Sequence, residues 1–243
     1  MTNPVAIVTG GSRGIGAAIV EQLAKDGFDI VLSYARNAQA AEETADKVRA
    51  LGRKALAVKA DGSSVAGNKA VIAETVKEFG RLDTLVCNAG IYPYGPIDEM
   101  SVEQIEQVLN LNVRGVMVET AEAVKHMKKG GRLIFIGSAF GARAPFPGIS
   151  LYAATKAALR GFTQGVARDL GPKGITVNVV EPGPIDTDLN PATGEGAKVI
   201  SSFVATGAYG TVSDISNMVS FLASPKAGYI TGAALPVDGG LEA

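Results

Sequence analysis

The sequence predicts an α/β fold with a doubly wound parallel sheet and helices on both faces. Two features carry that prediction. Short apolar runs alternate with helix-patterned segments from one end of the chain to the other. The runs are continuously apolar, as strands covered on both faces must be. Right-handed crossovers then wind helices onto both faces of the sheet. Ligands of such sheets bind beyond the carboxyl ends of the strands, so the chemistry is sought just after each strand.

Val5 to Val8 is the first strand. Ile15, Ile19, Val20 and Leu23 give the next segment, Ile15 to Lys25, its helical spacing. Asp29 to Ser33 is the second strand. Gln39 to Leu51 is a helix stopped by Gly52, which is free to turn left-handed. Ala55 to Lys59 is a strand, Ala66 to Phe79 a helix stopped by Gly80, and Leu82 to Cys87 a strand. One long helix is expected from about Ser101 to Met127, opened by a capping box of Ser101 and Gln104. Leu133 to Gly137 is a strand, and Tyr152 to Leu170 a helix ended by Gly171-Pro172. Ile175 to Val180 is a strand, Ser213 to Leu222 a helix, and Ala234 to Val237 a last short strand. Asp188 to Thr211 is rich in Gly and Ala and weakly periodic, and reads as a loop.

Composition narrows the function. Among 243 residues, Lys plus Arg number 23 and Asp plus Glu 24, a formal net charge of −1. General nucleic-acid and anionic-membrane binders want a basic excess, so neither is expected. The single cysteine, Cys87, permits no intrachain disulfide and no multi-cysteine metal centre, and no metal is expected. It follows a buried strand and reads as a small core residue. The single histidine, His126, lies near a helix end in a lysine-flanked stretch, and there is no Gly-x-Ser-x-Gly, which argues against a serine hydrolase. No apolar run is long enough to span a membrane and the first residues are not basic, so a soluble cytoplasmic protein is expected.

The first strand leads into Thr9-Gly10-Gly11-Ser12-Arg13-Gly14-Ile15-Gly16 and then a helix. Gly10 allows the tight turn, and Gly14 and Gly16 let the backbone approach a pyrophosphate at the helix N-terminus. The spacing is Gly-x-x-x-Gly-x-Gly, neither the general dinucleotide fingerprint nor a P-loop. The second strand ends in Ser33-Tyr34-Ala35-Arg36, with no Asp or Glu between Ile30 and Ala41 to bond a ribose hydroxyl. Arg36 and Arg13 instead suit a 2′-phosphate, which favours NADP(H) over NAD(H). Asp61, after the third strand, is placed to accept from an adenine amino group, and Asn88-Ala89-Gly90 leaves room for adenine and ribose.

The fifth strand ends in Gly137-Ser138, and Tyr152-Ala153-Ala154-Thr155-Lys156 opens a helix further on. Tyr152 and Lys156, four apart, share a helix face. An ammonium there favours the phenolate and is expected to lower the tyrosine pKa toward neutrality, where it works as an acid or base. Ser138 can bond and polarise a substrate oxygen. Phe140, Ile91, Tyr92, Tyr94 and Phe146 are candidates for an apolar pocket wall.

These segments, together with Asn112 and Pro182-Gly183, stand in the order of the short-chain dehydrogenase/reductase family, which the whole chain resembles down to Pro236-Val237-Asp238-Gly239-Gly240. The resemblance implies a single Rossmann-type domain over residues 1–243 with a seven-stranded sheet. Its N-terminal part would be mainly cofactor-binding and its C-terminal part mainly catalytic. It implies NADPH-dependent reduction of a ketone or aldehyde, reversible to alcohol oxidation. Tyr152 would give the proton and Ser138 position the oxygen. Lys156 would tune Tyr152 and hold the nicotinamide ribose. Asn112 would hold a water of a proton relay. In Pro182-Gly183-Pro184-Ile185-Asp186-Thr187, the residues Ile185 and Thr187 would contact the carboxamide. The segment Asp188 to Thr211 would cover the substrate as a gating lid, and the protein would assemble as a homotetramer. The chain departs from the family pattern in two places: Cys87 stands where a second Asn is frequent, and the gap from Ser138 to Tyr152 is one residue longer than usual. That gap and Gly183-Pro184-Ile185-Asp186-Thr187-Asp188 resemble a bacterial subgroup of ketone reductases that includes a cyclic-di-GMP-binding biofilm dispersal protein. The alternative is therefore a nucleotide-sensing regulator that binds cyclic-di-GMP or NADP with little turnover.

Overall fold

The computed structural model describes residues 3–243. Seven parallel strands form one sheet in the order β3-β2-β1-β4-β5-β6-β7. They are β1 (Val5–Val8), β2 (Asp29–Tyr34), β3 (Ala55–Lys59), β4 (Thr84–Cys87), β5 (Arg132–Ile136), β6 (Thr176–Pro182) and β7 (Ala234–Val237). The helices are α1 (Gly14–Lys25), α2 (Ala38–Ala50), α3 (Val65–Phe79), α4 (Val102–Leu109), α5 (Val116–Ala123), α6 (Ser150–Leu170), α7 (Glu195–Ser201) and α8 (Val212–Ala223).

Side chains alternate across each strand, so a continuously apolar run feeds two cores. Ala6, Val8, Ile30, Leu32, Val86, Ile134 and Val180 point to one face and meet Ile19, Val20 and Leu23 of α1 and Ile215 and Val219 of α8. Ile7, Val31, Leu85, Leu133, Phe135, Val177 and Val179 point to the other and meet Val71 of α3, Val116 of α5 and Leu159 of α6. Cys87 lies in this second core, as its sequence context suggested. This is a Rossmann-type α/β domain. The strand order reverses between β1 and β4, and the crevice opens there. Among the described residues no helix is long and apolar enough to cross a membrane.

Two sequence expectations need correction. The long helix from Ser101 to Met127 is two helices, α4 and α5, joined by a π-helical turn at Asn110–Gly115. Gly115 ends that turn and has no room for a side chain. A Cβ there would stand 2.6 Å from the Gly62 carbonyl oxygen, so the backbone can run close to the loop after β3. The segment Asp188 to Thr211 is not all loop, since it holds α7. The end of α6 is as expected: it stops at Leu170 with Gly171 as its C-cap, and a 3₁₀ turn at Gly171–Lys173 then leads to a left-handed Gly174 (φ 69°). The Ser101–Gln104 capping box is present as expected.

The C-terminal end of the sheet is tied down by charge. Glu181 of β6 is fully buried and accepts from both Arg160 Nε and Nη2, and Arg160 also bonds Glu242 at 2.8 Å. Those carboxylates hold the Arg160 guanidinium above its ordinary range. Removing one partner of such a pair strands the other in low dielectric. The triad thus fastens α6, which carries Tyr152 and Lys156, to β6 and to the chain's last turn.

Candidate active site

The turn after β1 is a glycine cradle. Gly10 (φ 65°) and Gly14 (φ 53°) take left-handed backbone that other residues rarely adopt. A Cβ on Gly16 would stand 2.3 Å from the Gly10 carbonyl oxygen and 2.6 Å from Asn88 Nδ2. Arg13 occupies the N-cap of α1 without a side-chain cap bond, and no acid lies in the first turn. The helix therefore presents its free N–H groups and positive end to an anion. Ser12 and Ile15 line this turn, and the Ser12 carbonyl accepts from Thr44. Thr187, from the segment after β6, packs against Gly14 at 3.6 Å from an ideal Cβ. These residues fit a bound pyrophosphate.

Tyr34 closes β2 half-buried, and Arg36 is exposed beyond it. Asp61 accepts from the Ser63 side chain at 2.7 Å and its N–H at 2.9 Å; these bonds, and Arg36 nearby, keep its carboxyl below the usual range. Arg36 and Asp61 thus lie together at the edge of the crevice. Asn88 proves to be a brace. Its amide donates to the Thr9 carbonyl at 2.9 Å and the Gly10 carbonyl at 3.1 Å, and Thr9 Oγ1 accepts from the Asn88 and Ala89 N–H groups. Gly90 is small because Asn112 Oδ1 would be 3.3 Å and Lys156 Nζ 3.7 Å from a Cβ there. Gly183 is small for a reason unrelated to a ligand: Asp238 Cα fills the space of its Cβ at 2.6 Å. Ile185 is buried, and pairs with Gly210 in a single bridge.

Asn112 is buried in the π turn. Its amide donates to the Ile91 carbonyl at 2.9 Å and to Thr155 Oγ1 at 3.2 Å, while Oδ1 accepts from the Ile91 N–H at 3.0 Å. Thr155 Oγ1 donates to the Tyr152 carbonyl at 2.7 Å. The asparagine therefore clamps the loop after β4 to the second turn of α6, through Thr155. A π turn frequently marks a functional position. Neither Thr155 nor the π turn had a sequence signal beyond the polar residues in an otherwise apolar face.

Ser138 follows β5 and is buried; its Oγ accepts from the Phe140 N–H at 3.2 Å. Ser138 is also the polar side chain that acts on the Tyr152 hydroxyl, favouring its ionised form. Lys156 is buried, donates to the Ile136 carbonyl at 2.8 Å, and has Nζ 5.7 Å from the Tyr152 ring centre. Loss of hydration pushes Lys156 down to about 8. The same cause pushes Tyr152 up to about 12, with Ser138 opposing it and Tyr92 adding to it. The expected lowering of Tyr152 by Lys156 is thus not seen in the free protein. Dehydration of the phenol outweighs the ammonium, which lies over the ring instead of against the hydroxyl. Tyr92 packs edge-on against Tyr152, centroids 4.8 Å apart.

Comparison with known proteins agrees with this geometry. A family model described as enoyl-(acyl carrier protein) reductase matches residues 10–242. The chain is 39% identical over 242 residues to a cyclic-di-GMP-binding biofilm dispersal mediator protein of Escherichia coli, covering 100% of this chain and 98% of that one. A solved short-chain dehydrogenase/reductase from Serratia marcescens superposes with a TM-score of 0.98 at 48% identity, covering 100% and 99% of the two chains. A short-chain dehydrogenase from Burkholderia cenocepacia, solved in complex with NADP, gives 0.97 at 45% identity, covering 99% and 98%.

One substitution tests the cradle. Gly16→Ala should weaken binding of an adenine dinucleotide phosphate about tenfold or more, because the methyl must displace backbone or Asn88. Calorimetric titration measures it, with the thermal midpoint as the check on folding.

Proposed function

Because the chain belongs to the short-chain dehydrogenase/reductase family, we propose that it reduces a ketone or aldehyde to an alcohol, with Tyr152 as the proton donor. It is an NADP(H)-dependent oxidoreductase by fold and family. The observation that carries the finer reading is the placement of Ser138, Tyr152 and Lys156 at the ends of adjacent elements, all partly or fully withdrawn from water. When bound, the reduced nicotinamide supplies a hydride to the carbonyl carbon.

The residues of this chain supply the rest. Ser138 donates to the carbonyl oxygen and orients it beside the Tyr152 hydroxyl. The Tyr152 phenol, kept neutral by its dry surroundings, gives that oxygen its proton as negative charge develops. The charged Lys156 then stabilises the phenolate left behind and bonds the nicotinamide ribose. Asn112 acts through Ile91 and Thr155 to hold the first two turns of α6 in place. Asn112 also holds the water of a proton relay, as the family resemblance implies. Gly10, Gly14 and Gly16 cradle the pyrophosphate. Tyr34, Arg36 and Arg13 meet the adenosine 2′-phosphate, Asp61 the adenine, and Ala89, Gly90 and Pro182 frame the crevice. Ile185 and Thr187 flank the carboxamide. The segment around α7 covers the substrate, and the exposed Leu109, Met117 and Phe221 support assembly into a homotetramer.

A second reading, a cyclic-di-GMP-responsive regulator, draws on the similarity to the cyclic-di-GMP-binding protein of Escherichia coli. A purely sensing site has no use for a dehydrated Tyr–Lys pair, so turnover is the better reading.

Consumption of NADPH with a panel of ketones, aldehydes and quinones tests it. Tyr152→Phe should lower kcat by about 10²–10⁴-fold without loss of cofactor binding. NADPH binding with no turnover on any carbonyl, but tight binding of cyclic-di-GMP, would favour the second reading. The pH profile has a definite sign. Reduction needs Lys156 charged and Tyr152 protonated, so kcat/KM should be level below pH about 8 and fall above it as Lys156 loses its proton. A rise through that range would contradict the assignment. Arg36→Ala should shrink the preference for NADPH over NADH about tenfold, as loss of a charged hydrogen bond predicts. Dissociation constants for both cofactors measure it.

A further inference from the structure

We infer that residues 238–243 form a wedge that sets the Ser138 hydroxyl in place for proton delivery, with Leu241 and Arg143 as positioning residues. The inference rests on the reductase reading above and adds how that site is held in register.

The segment after β7 curls on itself. Asp238 accepts from the Gly240 N–H at 2.9 Å and from the Glu242 N–H at 2.8 Å. Between those two anchors the Leu241 side chain is fully buried. It packs with Ala139 and Val204, and Phe140 lies against them. This is a small third core, separate from the two that cover the sheet.

One wall of that core belongs to the reactive end. Ala139 and Phe140 begin the 3₁₀ turn (Ala139–Gly141) that follows Ser138. The Phe140 N–H donates to Ser138 Oγ at 3.2 Å. A hydroxyl that accepts in this way keeps its hydrogen for a substrate oxygen. Just beyond the turn, Arg143 donates to the Leu241 carbonyl at 2.8 Å and to the Ala243 carbonyl at 3.3 Å. The turn is thus held to residues 238–243 by apolar packing and by a guanidinium.

The same wedge meets α6. Glu242 bonds Arg160 at 2.8 Å, and Arg160 lies about one helical turn past Lys156. The turn after Ser138 also rests directly on this helix, since a Cβ on Gly141 would stand 2.9 Å from the Ala157 nitrogen. The third neighbour is the segment after α7. The Thr206 N–H donates to the Gly239 carbonyl at 3.0 Å, and a Cβ on Gly239 would stand 2.7 Å from Val204. Val204 therefore closes the third core from the side opposite Ala139.

Truncating Leu241 would leave Ala139 and Phe140 beside a void, and a packed core responds to a void by shifting or by losing contacts. A shift of about 1 Å at a group that orients the reacting atoms can cost about a hundredfold in rate. Ser138 holds the oxygen that Tyr152 protonates, so the cost falls on the proton step. None of the contacts named involves the glycine turn after β1, so cofactor affinity is expected to stand.

The test measures kcat in H₂O and in D₂O for NADPH-dependent reduction of the ketone that the unaltered protein turns over fastest. Leu241→Ala should lower kcat about tenfold or more, raise the solvent isotope effect on kcat, and leave the Kd for NADPH unchanged. Leu241→Met, close in volume, should restore both kinetic values. Arg143→Ala, at an exposed position, should move kcat and the isotope effect in the same direction by less, and it carries the test if Leu241→Ala fails to fold. A general loss of stability lowers the thermal midpoint and the active fraction but does not alter an isotope effect. An isotope effect that keeps the unaltered protein's value in these variants would therefore overturn the inference and leave the reductase reading standing. A loss of NADPH affinity as large as the loss of kcat would overturn it too. Absence of turnover by the unaltered protein on every carbonyl tried would overturn the reductase reading, and this inference with it.

Discussion

Everything in this site is arranged around an ammonium and a phenol held side by side away from water. Lys156 is 5% exposed, and its charge has a backbone carbonyl, that of Ile136, as its partner at 2.8 Å. Among the described residues no side-chain carboxylate pairs with it, so burial costs it its ordinary basicity. Tyr152 loses its ordinary acidity for the same reason. The two shifts oppose the free ionisation of both groups at neutral pH. They leave a neutral donor beside a cation that is able to steady its conjugate base. That is the state a carbonyl reductase needs before its substrate arrives.

Two asparagines make that state rigid by stitching one loop on both sides. Asn88 binds the loop after β4 to the glycine turn after β1. Asn112 binds the same loop to the first two turns of α6, where Tyr152 and Lys156 stand. The nucleotide crevice and the reactive hydroxyls are therefore positioned by one shared backbone segment. Asn112 lies buried within the π turn. From the far side, the Arg160–Glu181–Glu242 cluster anchors the same helix to the sheet.

Much of this was legible from residues alone, and the exceptions have physical reasons. The strands were legible because apolar runs such as Val5–Val8 and Thr84–Cys87 feed both cores and need no polar alternation. The glycine turn was legible because positive φ and close approach leave few other residue types. The break between α4 and α5 was not, because a π turn keeps helical composition and only shifts the register by one residue. α7 is not legible because its seven residues are too few for a helical stripe and Ala197 alone is buried among them. Asn88 resembled a ligand-facing turn residue, and its bonds to two carbonyls depend on a strand nearly eighty positions away. The direction of the Tyr152 shift was misjudged because helical spacing reports that Lys156 is near, while the depth of burial and the angle of approach are tertiary facts.

The protonation state of Tyr152 is the most direct test of the account. The chain has six tyrosines, so ¹³Cζ-tyrosine labelling with Tyr152→Phe for assignment isolates its NMR signal. In the cofactor-free protein the signal should remain that of a neutral phenol past pH about 10, the ordinary tyrosine range. A phenolate signal appearing near neutral pH would contradict it, and would mean that Lys156 rather than dehydration controls the site.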